Sequence, residues 1–273
     1  MIENNEIVKL INVSKKYKIV DRDDKIPVLK KVARFFKPKY IYTDGLKDIS
    51  LSINKGDFIG LIGENGAGKT TTIKLMTGIL TPTSGEISIF DLNPNKNRKK
   101  YTKKIGVVMG QKSLLWYNIP VIESLKLYKE IYKVSNEDFY QRIDFYKKVF
   151  KAEEILNKAV RHLSLGQRMR AELMASLIHK PEILFLDEPT IGLDVVSKNS
   201  LHDYLRQINQ LDKTTIILTS HDSTEIEKLC NRIIILKKGL KIKDSTLQNL
   251  LSESGYKTLE EYLLDVYKEN NDK

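Results

Sequence analysis

The sequence predicts an α/β protein, a mainly parallel sheet covered by helices with a helical insertion. Three observations carry that expectation. Strand and helix patterns alternate along most of the chain, several strand candidates are unbroken apolar runs, and a glycine-rich segment joins one such run to a helix. The chain opens with the alternating patterns Val8–Val13 and Ile49–Ile53, which read as strands separated by a long polar and basic excursion. Asp57–Ile62 reads as a buried strand running into glycines. Thr70–Leu80 follows as a helix, closed by Thr81-Pro82-Thr83-Ser84-Gly85. Glu86–Phe90 and Ile105–Met109 are further strands, and Val121–Lys158, rich in Tyr, Leu and Lys, is the helical insertion. The alternation then resumes: helix Ser164–His179, strand Ile183–Leu186, helix Val195–Leu211, strand Thr214–Thr219, helix Ser223–Leu229 and strand Ile233–Leu236. A helical tail spans Thr246–Tyr267, and no internal repeat interrupts the order.

Composition narrows the function. With 273 residues, 41% of them hydrophobic and 30% charged, the chain can bury a core and keep a solvated surface. Uncharged runs such as Leu75–Gly85 fall well short of the ~20 apolar residues that a spanning helix needs. The opening Met1–Glu6 is acidic and polar, unlike a secretory signal. The single cysteine, Cys230, reads as a small core hydrophobe, and no Cys/His cluster has zinc-ligand spacing. These features predict a cytosolic protein.

The net charge is +11, and its distribution says more than its sum. Lys15–Lys39 holds ten Lys/Arg against three Asp, and Lys96–Lys104 holds six basic residues and no acid, so the rest of the chain is slightly acidic. Such runs are most often solvated surface. The functional alternative is attraction to anionic lipid headgroups. Nucleic acid is not expected, because aromatic residues are not regularly interleaved with the charges.

Gly63-Glu64-Asn65-Gly66-Ala67-Gly68-Lys69-Thr70 follows a buried strand and opens a helix. Glycines let consecutive backbone N–H groups curl around phosphate oxygens, and the helix N-terminus adds positive potential. Lys69 supplies a point charge for the β- and γ-phosphates, the Thr70 hydroxyl can ligate Mg²⁺, and Thr71 is placed to donate to the next phosphate. This is a nucleotide site. Downstream, the apolar strand Ile183–Leu186 ends in Asp187-Glu188, where a parallel sheet presents ligand-binding groups. Asp187 suits the surroundings of the Mg²⁺, and Glu188 can polarise a water that attacks the γ-phosphate. Paired acids at a strand end could instead cap a helix; beside a phosphate loop, the catalytic reading is preferred.

These motifs resemble those of the ABC ATPases. Leu163-Ser164-Leu165-Gly166-Gln167-Arg168 is similar to the family's signature motif, and Gln111, after Ile105–Met109, to its Q-loop. Gly192-Leu193-Asp194 resembles the D-loop and His221 the switch histidine, all in the family's order over roughly residues 7 to 240. The resemblance implies a P-loop NTPase core with an N-terminal antiparallel β part. It assigns residues 1–240 to the ATPase domain, about 112–170 to a helical subdomain, and 241–273 to a short C-terminal helical tail. It also implies a head-to-tail dimer with two ATP molecules sandwiched between one subunit's phosphate loop and the other's signature helix. Ser164, Gly166, Gln167 and Asp194 would face the nucleotide across that interface. His221 would hold the attacking water and γ-phosphate, and Gln111 would contact Mg²⁺ and report occupancy toward the membrane. Tyr17 resembles the aromatic that stacks on adenine. The chain between Tyr17 and Gly63 is longer than in compact members, and Tyr40 or Tyr42 is the alternative. In the signature segment Leu165 stands where the family usually has a second glycine.

The segments Leu163–Arg170 and Asp187–Val196 look most like ATPases serving bacterial exporters of the ABC type 2 class. The resemblance therefore implies a subunit at the cytoplasmic face of the cell membrane, driving a separate polytopic permease, with a second nucleotide-binding subunit as its other partner. Lys112–Tyr117 is where relatives receive the membrane subunit, and Trp116 reads equally as core or contact. Phe35 and Phe36, within the basic excursion, read as a staple or a partner contact. The alternative is a soluble ABC ATPase acting on ribosomes or DNA; such relatives fuse two nucleotide domains or carry long coiled coils, and this chain has neither. A regulator that binds nucleotide without hydrolysing it is disfavoured by Glu188 and His221.

Overall fold

The unbroken apolar runs of the sequence are strands buried on both faces. The computed structural model describes residues 5–20, 40–110 and 112–268. Among these, the chain runs through β1 (Glu6–Val20), β2 (Tyr40–Asn54), β3 (Phe58–Ile62), α1 (Lys69–Met76), β4 (Ser84–Ile89), α2 (Arg98–Tyr101) and β5 (Ile105–Met109). It continues with α3 (Val121–Tyr132), α4 (Asn136–Val149), α5 (Glu153–Leu156), α6 (Leu165–Leu177), β6 (Ile183–Asp187) and α7 (Val195–Asp212). The last part comprises β7 (Thr215–Ser220), α8 (Ser223–Leu229), β8 (Arg232–Lys237), β9 (Leu240–Thr246), α9 (Leu247–Ser254) and α10 (Leu259–Lys268).

The central sheet has the order β5-β6-β7-β3-β8-β9; its first five strands are parallel and β9 closes one edge antiparallel. A second, antiparallel sheet has the order β2-β1-β4. Successive side chains of a strand point to opposite faces, and here each face has its own core. Ile59, Leu61, Phe185, Ile217 and Ile234 pack with Ile73 of α1 and with Val8, Leu10 and Ile49 of the antiparallel sheet. Their neighbours Phe58, Ile62, Leu184, Leu186, Ile216 and Leu218 pack with Ile143, Tyr146 and Leu173 from the helices on the other side. Cys230 belongs to that second core, where burial pushes its thiol pKa up. The fold is the α/β P-loop NTPase arrangement that the sequence led us to expect.

Four local expectations change. The early strands are much longer than Val8–Val13 and Ile49–Ile53: β1 and β2 form a ribbon paired from Glu6↔Asn54 out to Val20↔Tyr40. Lysines at 15, 16 and 18 disguise its outer half as a polar loop. Phe35, Phe36 and the rest of the excursion at 21–39 lie outside the described residues. Helix α1 stops at Met76 rather than Leu80, because Gly78 turns the chain with φ +68 and a Cβ there would lie 2.9 Å from the Pro94 carbonyl oxygen. The helical middle is broken at Lys133 (φ +57) and Lys151 (φ +49) into α3, α4 and α5. Finally, residues 240–246 pair with β8 before any tail helix begins, and Gly255 (φ +76) divides the tail into α9 and α10. Among the described residues no helix is long and apolar enough to cross a membrane.

Candidate nucleotide site

Parallel register decides which strand ends meet. Met109 pairs with Asp187, Asp187 with Thr219, and Ile62 with Ser220, so four strands finish at one level. Ligands of open α/β sheets bind beyond the carboxyl ends of the strands. The loop Gly63–Gly68 leaves β3 at this level and curls tightly, Ala67 N donating to Glu64 O at 3.0 Å. Gly68 precedes α1 with φ +110; a Cβ there would sit 2.6 Å from Leu46 Cδ2 and 2.9 Å from Gly45 O, so the position requires glycine. Helix α1 has no side-chain cap, which leaves its first N–H groups available to an anion.

Lys69 is the charged centre. It is only 5% exposed, and its Nζ donates to Gly63 O (2.6 Å) and Glu64 O (3.3 Å) and lies 3.6 Å from Glu188 Oε1. Burying an ammonium is costly unless it is paired, and these acceptors offset that cost. Beside it, Thr70 Oγ1 donates to Asp187 Oδ1 at 3.0 Å. Thr219 Oγ1 donates to the same oxygen at 2.7 Å and accepts from Glu188 N at 3.0 Å. Glu188 takes the left-handed conformation, φ +54, which costs on the order of 1–3 kcal/mol in a non-glycine residue. Its Oε2 meets His221 Nδ1 at 2.6 Å. The two adjacent acids thus have separate partners, Asp187 the Thr70 hydroxyl and Glu188 the imidazole.

The β1–β2 ribbon forms the far wall of this cleft. Tyr17, Thr43, Gly45, the glycine loop, Thr70, Thr71 and Glu188 line a space of about 310 Å³. Tyr17 OH lies 3.0 Å from Thr71 Oγ1. Tyr40 and Tyr42, the alternatives for the adenine-stacking role, stay out of the cleft; Tyr42 is 68% exposed, and the Tyr40 ring lies 3.8 Å beneath Lys18 Nζ.

The remaining expected residues gather elsewhere. Ser164, Gly166 and Gln167 line a second cavity of about 230 Å³ with Leu193 and Ser197, sharing no residue with the first. There Ser164 caps α6 in a capping box: Gln167 N donates to Ser164 Oγ (3.2 Å) and Ser164 N to Gln167 Oε1 (3.1 Å). Asp194 caps α7 through Ser197 N (2.9 Å) and Ser197 Oγ (2.7 Å), which hold its carboxyl below the usual range. Gly166 and α7 are in close approach, since a Cβ on the glycine would meet Ser197 Oγ at 2.4 Å. Gln111 lies outside the described residues. The segment behind it is tied to α6, with Ser113 Oγ and Leu114 N donating to the Glu172 carboxylate, whose pKa burial raises.

Sequence reasoning missed Thr219, Thr43 and Gly45. A hydroxyl residue ending an apolar strand is the signal that could have found Thr219. Thr43 and Gly45 gave none, because only the ribbon's tertiary register brings them to the cleft.

A phosphate cradle before an uncapped helix, with a hydroxyl and carboxylates at adjoining strand ends, places the protein among the P-loop nucleoside triphosphatases. Residues 46–191 match the model of the ABC transporter family. The chain is 32% identical over 218 residues to the ABC transporter ATP-binding protein NatA of Bacillus subtilis, covering 80% of this chain and 88% of that one. It is 31% identical to the Nod factor export ATP-binding protein I of Cupriavidus pinatubonensis, covering 87% of this chain and 73% of that one. The dimeric post-hydrolysis structure of the ATP-binding cassette MJ0796 bound to ADP and Pi is similar with a TM-score of 0.70 and 27% identity, over 88% of this chain and 98% of that one. The chain belongs to the ABC transporter family, as an ATP-binding subunit and ATPase.

Proposed function

We propose that this subunit pairs head to tail with a second copy at the cytoplasmic face of the cell membrane and drives a separate polytopic permease, in the direction of export. The observation that carries the hydrolytic reading is the division of labour at the end of β6, where Asp187 binds the Thr70 hydroxyl and Glu188 binds His221. In this reading the loop of Gly63, Glu64, Asn65, Gly66, Ala67 and Gly68, with Lys69, Thr70 and Thr71, cradles the phosphates, and the Tyr17 ring stacks on adenine. Glu188 accepts the proton of a water whose oxygen attacks the γ-phosphorus. The bond from that phosphorus to the β–γ bridging oxygen breaks, and His221 holds the water and γ-phosphate in line. Ser164, Gly166, Gln167 and Asp194 face the other subunit's nucleotide.

The donor set fits Mg²⁺. The Thr70 hydroxyl and Asp187 adjoin, and among the described residues no group of three His, Cys, Asp or Glu forms an all-protein cage. Mg²⁺ would be held by the Thr70 hydroxyl with Asp187 near it, and the family resemblance adds Gln111. Bound Mg²⁺ would neutralise charge on the phosphates. Export is supported by the resemblance of Leu163–Arg170 and Asp187–Val196 to ABC type 2 ATPases and by the Nod factor export relative. Substrate choice belongs to the permease.

Affinity purification of Glu188→Gln, held closed with ATP and Mg²⁺ and drawn from gently solubilised membranes, tests the assignment. Stoichiometric polytopic proteins are the expected companions, and transport into inverted vesicles fixes direction. Ribosomal proteins or DNA instead, with the subunit absent from membranes, would overturn the transport reading.

A further inference from the structure

A carboxylate hidden from water must be met by donors, and the three donors that meet Glu225 come from three functional segments. Its side chain is 0% exposed. Oε2 accepts from Thr190 Oγ1 at 2.9 Å and from Ser220 Oγ at 2.6 Å, while Oε1 lies 3.1 Å from Nε2 of the buried His202. Thr190 stands two residues after Glu188, and Ser220 immediately precedes His221. His202 is on α7, the helix that Asp194 caps. We infer that Glu225 is a positioning residue for hydrolysis, one buried carboxylate that sets the Glu188–His221 pair in register with α7. This rests on the roles proposed above for Glu188 and His221.

The geometry favours positioning over packing. His221 is exposed, its side chain 59% accessible, and Glu188 holds a left-handed backbone conformation. Glu188 is largely enclosed, its side chain 17% accessible, but His221 is held by no surrounding core, so the 2.6 Å bond between them depends also on how their flanking residues are anchored. Alongside the bonds of Thr219, the Lys69–Glu188 ion pair and the strand pairing of Ser220 with Ile62, the flanking side chains Thr190 and Ser220 meet on one oxygen, Glu225 Oε2. Movement of either flank is therefore shared with the other through Glu225. The start of α8 is fastened to α7 a second time by the ion pair of Lys198 with Asp222, which also caps α8 through Thr224 N (2.9 Å) and Glu225 N (3.1 Å). A displacement of α7, which carries Asp194 at its exposed end, is thus communicated to the two hydrolytic side chains. Misplacing such groups by about 1 Å can cost about 100-fold in rate.

Steady-state ATPase kinetics of the full chain test this, with melting curves to establish folding. Glu225→Ala is expected to lower kcat by about tenfold or more while KM for ATP changes less than about threefold, because the phosphate loop is untouched. Glu225→Gln keeps an oxygen that can accept from Thr190 and Ser220, and should return kcat to within about threefold of the parent. Ser220→Ala and Thr190→Val each remove one anchor and should each lower kcat with KM retained; they decide the matter if Glu225→Ala does not fold. Glu188→Gln is run in parallel. Undiminished turnover in that variant removes the base assignment and this inference with it. If Glu188→Gln is inactive but Glu225→Ala, or both single-anchor variants, turn over at the parental rate while folded, Glu225 is structural only. Failure of Glu225→Gln to rescue a folded, slow Glu225→Ala also overturns the inference.

Discussion

Lys69 lies 5% exposed within its own loop, whereas Leu165, Val195 and Val196 stand 48, 75 and 76% exposed in the other segments assigned to nucleotide. The difference concerns completeness. At the phosphate loop the groups already line one walled cleft: glycine backbone, the Lys69 ammonium, the Thr70 hydroxyl, the Glu188 carboxylate and the Tyr17 ring, with Asp187 bonded behind Thr70. At the signature segment the polar groups serve the shape of the protein itself, Ser164 and Gln167 as a capping box for α6 and Asp194 as a cap for α7. Around them, Leu165, Ile191, Val195 and Val196 present apolar surface to solvent. Exposed apolar groups beside polar donors mark a surface that another molecule covers. Under the proposed head-to-tail pairing, one chain carries a formed half-site and an uncovered one.

The contrast can be broken at either half. Removing the buried charge with Lys69→Ala should weaken ATP binding by roughly 10- to 100-fold, since hydrogen bonds to charged groups are worth about 1.5–3 kcal/mol. Titration with a fluorescent ATP analogue measures it, and unchanged affinity would show that the loop N–H groups suffice. At the uncovered half, Val196→Asp places a charge in the exposed first turn of α7, where an acid suits the helix dipole. ATP affinity of the isolated subunit should be retained, while turnover falls about tenfold through lost association. A variant that turns over normally would take this patch out of the interface.

A smaller effect is expected just beyond the end of α6. His179 is stacked on Tyr132 with ring centroids 3.8 Å apart, its Nε2 is 2.9 Å from Ile105 O, and its Nδ1 is buried without a partner. Burial lowers its pKa from 6.5 to about 4. The unfolded chain therefore binds a proton on this residue that the folded protein refuses, and stability is lost as pH falls below about 6.5 toward 4. Between pH 7.5 and pH 5 the loss from this one group is about 2 kcal/mol. His179→Phe, which can keep the stacking, should flatten that part of the stability–pH curve measured by urea unfolding. An equally steep curve would assign the acid sensitivity to other groups.

What was legible in the sequence followed from locality. The phosphate loop is one short contiguous motif after a strand, Asp187 and Glu188 at another strand end gained their reading beside it, and His221 came from the family resemblance together with its place after a strand. The apolar runs gave the parallel sheet because each strand is buried on both faces and has no polar alternation to confuse it. The ribbon β1–β2 was hidden because its outer half, with Lys16 paired to Asp44 and Lys18 to Tyr42, is solvated and gains order only from a partner strand more than twenty residues away. Strand β9 was hidden for the same reason, its lysines at 241 and 243 masking an edge strand held by β8. Glu225 looks like an ordinary helix-surface acid in sequence; only the packing of α7 against α8 removes it from water.

In the proposed dimer, ATP joins a formed half-site to an uncovered one. Light scattering on purified Glu188→Gln, with and without saturating ATP and Mg²⁺, tests it most directly. A shift from monomer mass to dimer mass is expected on adding ATP, reversed by introducing Val196→Asp into the same protein. A protein that remains monomeric at saturating ATP, or that is an equally stable dimer without nucleotide, would contradict it.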